Sequence, residues 1–140
     1  MKKDMLNGRL AEWLTSAVMV MFAVALALPG DSVLSGFTFR FFFELGLNET
    51  VLAVPTALIG AARLMALYIN GTWRRTPSIR MAGALLGAGF YGFLSMSFLW
   101  PYAAGLTPAI STAATTYGVL AIFDVIAAYR SANDARIVRT

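Results

Sequence analysis

Four long apolar runs, separated by glycine and proline, constrain this chain more than any other feature of its sequence. They span about Leu10–Leu28, Thr50–Ile69, Ile79–Trp100 and Thr107–Tyr129. A helix of roughly 20 apolar residues crosses the hydrocarbon core of a bilayer, and lipid requires every backbone polar group to be satisfied within the spanning segment. The sequence therefore predicts an all-α fold with four transmembrane helices, forming a single membrane domain over residues 1–140.

The composition excludes several function classes. Hydrophobic residues make up 59% of the chain and charged residues only 13%, against about 25% charged residues in an average soluble domain. The sequence contains no cysteine and no histidine. Disulfide scaffolds, cysteine- or histidine-based zinc sites, thiol nucleophiles and histidine acid–base catalysis are therefore excluded. We expect a protein that is not an enzyme and that uses no cofactor or metal.

The basic residues predict how the helices are oriented. Nine of the 11 lysines and arginines lie in three short flanks of the apolar runs. These groups are Lys2, Lys3 and Arg9; Arg74, Arg75 and Arg80; and Arg130, Arg136 and Arg139. The positive-inside rule then places both termini in the cytoplasm, with residues 130–140 as a basic tail. Because the bases are divided among three flanks, the net charge of +4 does not indicate a nucleic-acid partner.

The first run has a competing interpretation as a cleaved signal peptide. Residues 1–9 resemble a basic n-region, and Ala25–Ala27 resembles a small-residue cleavage site. We favour a retained transmembrane helix, because the apolar stretch is long and Glu12 lies at its start.

The connection between the first two runs is long and rich in phenylalanine. Its aromatic residues include Phe37, Phe39, Phe41, Phe42 and Phe43. A small or polar residue recurs every four positions, at Gly36, Arg40, Glu44 and Asn48. On a helix these positions form one stripe, with Arg40 and Glu44 at i,i+4 spacing. The pattern favours a helix over about residues 31–47 in the headgroup layer; the alternative is a loop packed over the helix ends.

Arg63 and Asp124 are the most informative residues, because a charge inside the membrane is costly and usually has a partner. Each lies five or six residues from the cytoplasmic end of its run, which corresponds to a depth of roughly 8–9 Å. Equal depth and opposite charge predict an Arg63–Asp124 ion pair, and Glu12 is a second possible partner for Arg63. Tyr117, on the helical face of Asp124, could extend a polar lining between the second and fourth helices.

Three roles are compatible with these buried charges. The first is a structural ion pair, which we favour. The second is a proton or ion pathway. In the third, Arg63 extends its long side chain to the interface without pairing.

Small residues at four-residue spacing predict close helix packing. They are Ala57 and Ala61 in the second run, Gly83 and Gly87 in the third, and Gly118, four residues after Ala114, in the fourth. Such faces let helix backbones approach closely in lipid. The spacing indicates packing within one chain or a seam between copies, and it leaves both open.

One segment resembles a known group of proteins. It runs from Gly60 through Arg63 and the sequence Ile69-Asn70-Gly71-Thr72-Trp73-Arg74-Arg75-Thr76-Pro77 to Arg80. This segment resembles a stretch found in small, uncharacterised membrane proteins of tailed bacteriophages and prophages. The resemblance implies the bacterial inner membrane as location. Holins resemble the chain in general layout, since they are small, polytopic and oligomerising and have charged cytoplasmic tails.

Three functions follow as hypotheses. The first is a phage-type protein that oligomerises and permeabilises or remodels the inner membrane, as holins do. The second is a membrane component that binds another membrane protein, for example in superinfection exclusion or as an accessory subunit. The third is a small proton-coupled transporter; the small multidrug transporters also have four spans and a glutamate in the first, but their loops are short.

Overall fold

The structure is a computed structural model that describes residues 3–30, 39–72 and 77–137. The described part of the chain is all-helical. Its elements are α1 (Lys3–Ala27), α2 (Arg40–Glu44), α3 (Glu49–Thr72), α4 (Pro77–Ala103) and α5 (Thr112–Ile137). Helices α1, α3, α4 and α5 are each long and apolar enough to cross a membrane. The prediction of four such helices is therefore confirmed.

Local signals set several helix ends. Asn48 caps α3 by accepting a hydrogen bond from the Val51 N–H at 2.9 Å. Helix α4 ends at Ala103; Gly105 follows with a φ of +70° that suits glycine, and the Leu106 N–H closes the turn on the Pro101 carbonyl at 2.8 Å.

The last helix differs from the predicted run at both ends. We expected the fourth span to begin near Thr107, but α5 begins at Thr112, where the Ser111 hydroxyl accepts a hydrogen bond from the Ala113 N–H at 3.3 Å. The predicted basic tail, residues 130–140, is helical as far as Ile137, because α5 continues through it. Apolar character alone therefore does not fix where a helix begins and ends, because the cap residue begins the helix and polar residues extend it.

The helices pack as two antiparallel hairpins. Helix α1 packs chiefly against α3, and α4 packs chiefly against α5. Gly60 permits the first close approach, because a Cβ there would lie 2.9 Å from Val20 Cγ2 and 3.1 Å from the Val20 backbone nitrogen. We call α1 and α3 the N-terminal hairpin, and α4 and α5 the C-terminal hairpin.

The distribution of polarity is the reverse of that in a soluble protein. Large apolar side chains cover the outside of the bundle; Leu58, Met96 and Ile122 are more than 60% exposed. Charged side chains lie inside it, including Asp124 at 0% exposed and Glu12 at 3%. In water, exposing apolar side chains and burying charged ones would both be unfavourable. In the hydrocarbon core of a membrane, exposed apolar side chains are favourable and buried charges must be paired.

Candidate functional site

Arg63 of α3 and Asp124 of α5 form a two-pronged ion pair inside the bundle. Arg63 Nη1 donates to Asp124 Oδ2 at 2.8 Å, and Arg63 Nη2 donates to Asp124 Oδ1 at 2.6 Å. The Arg63 side chain is 6% exposed and that of Asp124 is 0% exposed. The pair expected from equal depth and opposite charge is therefore present, and Arg63 does not extend its guanidinium to the surface.

Thr15 of α1 completes the hydrogen bonding of this pair. Its hydroxyl donates to Asp124 Oδ1 at 2.7 Å and accepts from Arg63 Nη2 at 3.0 Å. The Tyr91 hydroxyl of α4 in turn donates to the Thr15 backbone carbonyl at 2.5 Å. One polar network thus connects all four long helices. Sequence reasoning missed Thr15 and Tyr91, because neither carries a charge that marks it as unusual in a membrane helix.

A second buried pair joins Arg80 of α4 to Glu12 of α1. Arg80 Nε donates to Glu12 Oε2 at 3.0 Å, Arg80 Nη2 binds Glu12 Oε1, and Arg80 Nη1 reaches Asp134 Oδ2 at 3.3 Å. Glu12 is therefore the partner of Arg80, and our suggestion that it pairs with Arg63 is wrong. The sequence groups Arg80 with the basic flank that precedes the third apolar run, but α4 begins at Pro77, so Arg80 lies in the first turn of a membrane-spanning helix.

Two glycines of α4 make room for the buried pair. A Cβ on Gly87 would overlap Arg63 Nη1 and Asp124 Oδ2, and a Cβ on Gly83 would lie 3.3 Å from Arg63 Cγ. The four-residue spacing of these glycines predicted close contact between helix backbones. At Gly87, the Arg63–Asp124 ion pair occupies the space that a side chain would fill.

A small recess, lined by both polar and apolar side chains, lies between the two pairs. Its lining includes Glu12, Ser16, Arg63, Arg80 and Gly83, and it has room for about one water molecule. The Ser16 hydroxyl donates to the Glu12 backbone carbonyl at 2.6 Å. Among the described residues, no group of three acidic side chains is placed to hold a metal ion.

The four innermost charges balance one another. Glu12 and Asp124 contribute two negative charges, and Arg63 and Arg80 contribute two positive charges. Removing one member would leave an unpaired charge buried inside the bundle, which is strongly unfavourable. The arrangement is therefore suited to fixing how the helices meet.

Tyr117 lies in an aromatic cluster and not in the charged network. Its ring stacks on Tyr91 at 6.0 Å and on Phe98 at 5.5 Å, and it meets the Phe22 ring edge-on at 5.8 Å. Thr56 of α3 does not extend a polar lining either, because its hydroxyl donates to the Leu52 carbonyl of its own helix. Tyr117 lies seven residues before Asp124 and, as expected, on the same face of α5, but the side chains that it contacts there are aromatic rings.

The predicted small-residue positions have different surroundings. A Cβ on Gly118 would lie 3.2 Å from Ser95 Oγ, so this glycine helps α4 and α5 to pack closely. Ala57 is half-buried, while Ala61 is exposed. Ala61 therefore does not contribute to packing within the described chain, and a seam between copies at this position stays a prediction.

The aromatic connection is described from residue 39 onward, and Phe37 lies outside the described residues. Phe42 is fully buried, and its ring packs edge-on against Phe93 and Phe98 at 5.7 and 5.8 Å. Phe41 packs against Trp100 at 5.9 Å, whereas Phe43 is 59% exposed.

The expected salt bridge in this connection is also present, since Arg40 Nε donates to Glu44 Oε1 at 3.1 Å. In its described part, then, the aromatic connection covers one end of α4, and one phenylalanine remains turned outward.

No family model matches the chain, and comparison with curated proteins and with solved structures gives no match.

Proposed function

We propose that this chain is a non-enzymatic, multi-pass protein of the bacterial inner membrane that acts by assembling laterally and permeabilises or remodels the bilayer, as holins do. One observation supports the proposal most strongly: the bundle presents apolar side chains outward and satisfies its charges internally. Such a molecule offers its surroundings a surface for lipid and for other membrane helices.

A single copy is unsuited to conducting ions or solutes. The interior is filled by the stacked rings of Tyr91, Phe98 and Tyr117 at one level and by the Arg63–Asp124 pair at another. Permeabilisation would therefore come from several copies acting together, which agrees with the oligomeric state that we propose.

The geometry favours a structural role for the charges over proton-coupled transport. Asp124 is 0% exposed and accepts from Arg63 and Thr15 at once. Both oxygens of this carboxylate are occupied by donors from the protein, whereas a proton carrier must exchange its proton with water on each side in turn.

We propose that both termini are cytoplasmic and that the Phe-rich connection lies at the outer interface. The three basic flanks support this orientation. Alkaline phosphatase and green fluorescent protein fused after Thr140 report on it in opposite ways. We expect fluorescence without phosphatase activity; active phosphatase at the C-terminus would overturn the assignment.

Inducible expression in bacteria with a potential-sensitive dye tests the function. We expect growth to stop abruptly as the membrane potential collapses. Arg80→Gln, which leaves Glu12 unpaired, is expected to abolish the effect, whereas Arg40→Gln on the surface is the matched control that retains it. If cells that accumulate the intact protein keep their potential, permeabilisation is refuted and the partner-binding function takes its place.

A further inference from the structure

The buried ion pairs join the two hairpins to each other. Arg63 belongs to the N-terminal hairpin and Asp124 to the C-terminal hairpin; Glu12 and Arg80 are divided in the same way. Thr15 and Tyr91 also meet across this boundary. Each hairpin therefore presents one positive and one negative buried group to the other hairpin.

The boundary between the hairpins is less closely packed than the hairpins themselves. Helix α1 packs mainly on α3 and α4 mainly on α5, while contacts between the hairpins are sparser and include the polar network. Helix α3 ends at Thr72 and α4 begins at Pro77, so only residues 73–76 connect the two hairpins. Short connections between units that pack on each other favour exchange of one unit between copies.

Exchange would preserve the interactions that a simple opening would lose. A separated hairpin would expose its charges to hydrocarbon, which is strongly unfavourable. When two copies exchange hairpins, Arg63 of one copy meets Asp124 of the other, and Glu12 meets Arg80 likewise. Every buried charge keeps a partner, and the apolar outer faces remain in contact with lipid.

We propose that the surface at which this protein assembles is the charged boundary between its hairpins, and that its partner is a second copy of the same chain, which docks by exchanging hairpins. This inference rests on the proposed function, which requires the copies to assemble laterally, and it names the surface through which they do so. Each network in the assembly then takes Arg63 and Glu12 from one chain and Asp124 and Arg80 from the other.

Complementation between two full-length variants tests the exchange. Arg63→Gln leaves Asp124 unpaired, and Asp124→Asn leaves Arg63 unpaired. We expect each variant alone to accumulate in the membrane several-fold less than the wild type, because loss of stability lowers abundance.

Co-expression should restore both variants, because an exchanged pair contains one native interface and one neutral interface. The chain that carries both substitutions is the control, since it has no unpaired charge without exchange. If the double variant accumulates but the co-expressed single variants do not, the proposal is overturned.

Cross-linking gives a second test that leaves the charges intact. The chain has no cysteine, and the rings of Phe22 and Phe90 meet edge-on across the boundary, with 6.2 Å between their centroids. One copy carries Phe22→Cys and a differently tagged copy carries Phe90→Cys. A short thiol cross-linker should join the two copies, and it should join them more efficiently than when Leu86→Cys, on the exposed face of α4, replaces Phe90→Cys.

The chain that carries both Phe22→Cys and Phe90→Cys shows that the reagent spans the distance. Cross-linking confined to single chains, or no stronger than in the Leu86→Cys control, would refute exchange. Neither test measures permeability. If exchange is refuted, the proposed function still holds, with the copies assembling through their outer faces. If permeabilisation is refuted, the result on hairpin exchange still holds.

Discussion

Replacing Gly87 with alanine tests whether this glycine exists to accommodate a buried ion pair. The added Cβ would overlap Arg63 Nη1 and Asp124 Oδ2, the two atoms of one hydrogen bond. Loss of a hydrogen bond between charged groups costs about 1.5–3 kcal/mol, and complete separation of a buried pair costs about 3–5 kcal/mol. Alanine recovers about 1 kcal/mol through its higher helix propensity. We therefore expect a net loss of about 0.5–4 kcal/mol in the free energy of unfolding.

Gly89, two residues along the same helix, is the matched control. A Cβ there meets nothing within 4 Å, so Gly89→Ala should be neutral or stabilise the protein by up to about 1 kcal/mol. Reversible unfolding in mixed micelles, followed by tryptophan fluorescence, measures both variants against the wild type. If Gly87→Ala is as stable as Gly89→Ala, the space at Gly87 is not needed for the pair and the reasoning is wrong.

Two further comparisons use neighbouring or equivalent residues. Phe42 is fully buried and Phe43 is 59% exposed. Phe42→Ala should therefore lower the free energy of unfolding by about 3–5 kcal/mol, and Phe43→Ala should lower it much less. Thermal unfolding in detergent measures both losses. Arg80→Gln leaves Glu12 unpaired and should lower the free energy of unfolding by about 3–5 kcal/mol. Arg40→Gln breaks a surface pair and should lower it by about 1 kcal/mol or less. Equal losses in the two variants would contradict the claim that the Arg80 pair is buried and the Arg40 pair is exposed.

The number of helices and the main ion pair were predictable because each depends on a strong local signal. A long apolar run has few alternatives to a membrane helix. A charge within such a run stands out, and depth could be counted along the helix from its end. Arg63 and Asp124 were matched in this way, without knowledge of how the helices pack.

The second pair and the identity of the hydrogen-bonding partners depend on packing and could not be read from the sequence. Arg80 lies at the start of the third apolar run, near Arg74 and Arg75, so in the sequence it has the pattern of a basic flank and not of a buried charge. Thr15 and Tyr91 are common in membrane helices, and their importance arises only where α1 and α4 meet the pair. Gly87 was marked by its spacing, yet spacing does not distinguish a groove for a helix from a groove for a side chain.

A double-mutant cycle on Arg63 and Asp124, measured in lipid bicelles, tests most directly whether paired charges hold the two hairpins together. Arg63→Gln and Asp124→Asn should each lower the free energy of unfolding by about 3–5 kcal/mol. The double variant should lose less than either single variant, because it leaves no buried charge unpaired, so the coupling free energy should be about 3 kcal/mol or more. Additive losses, with no coupling between the two positions, would contradict the account.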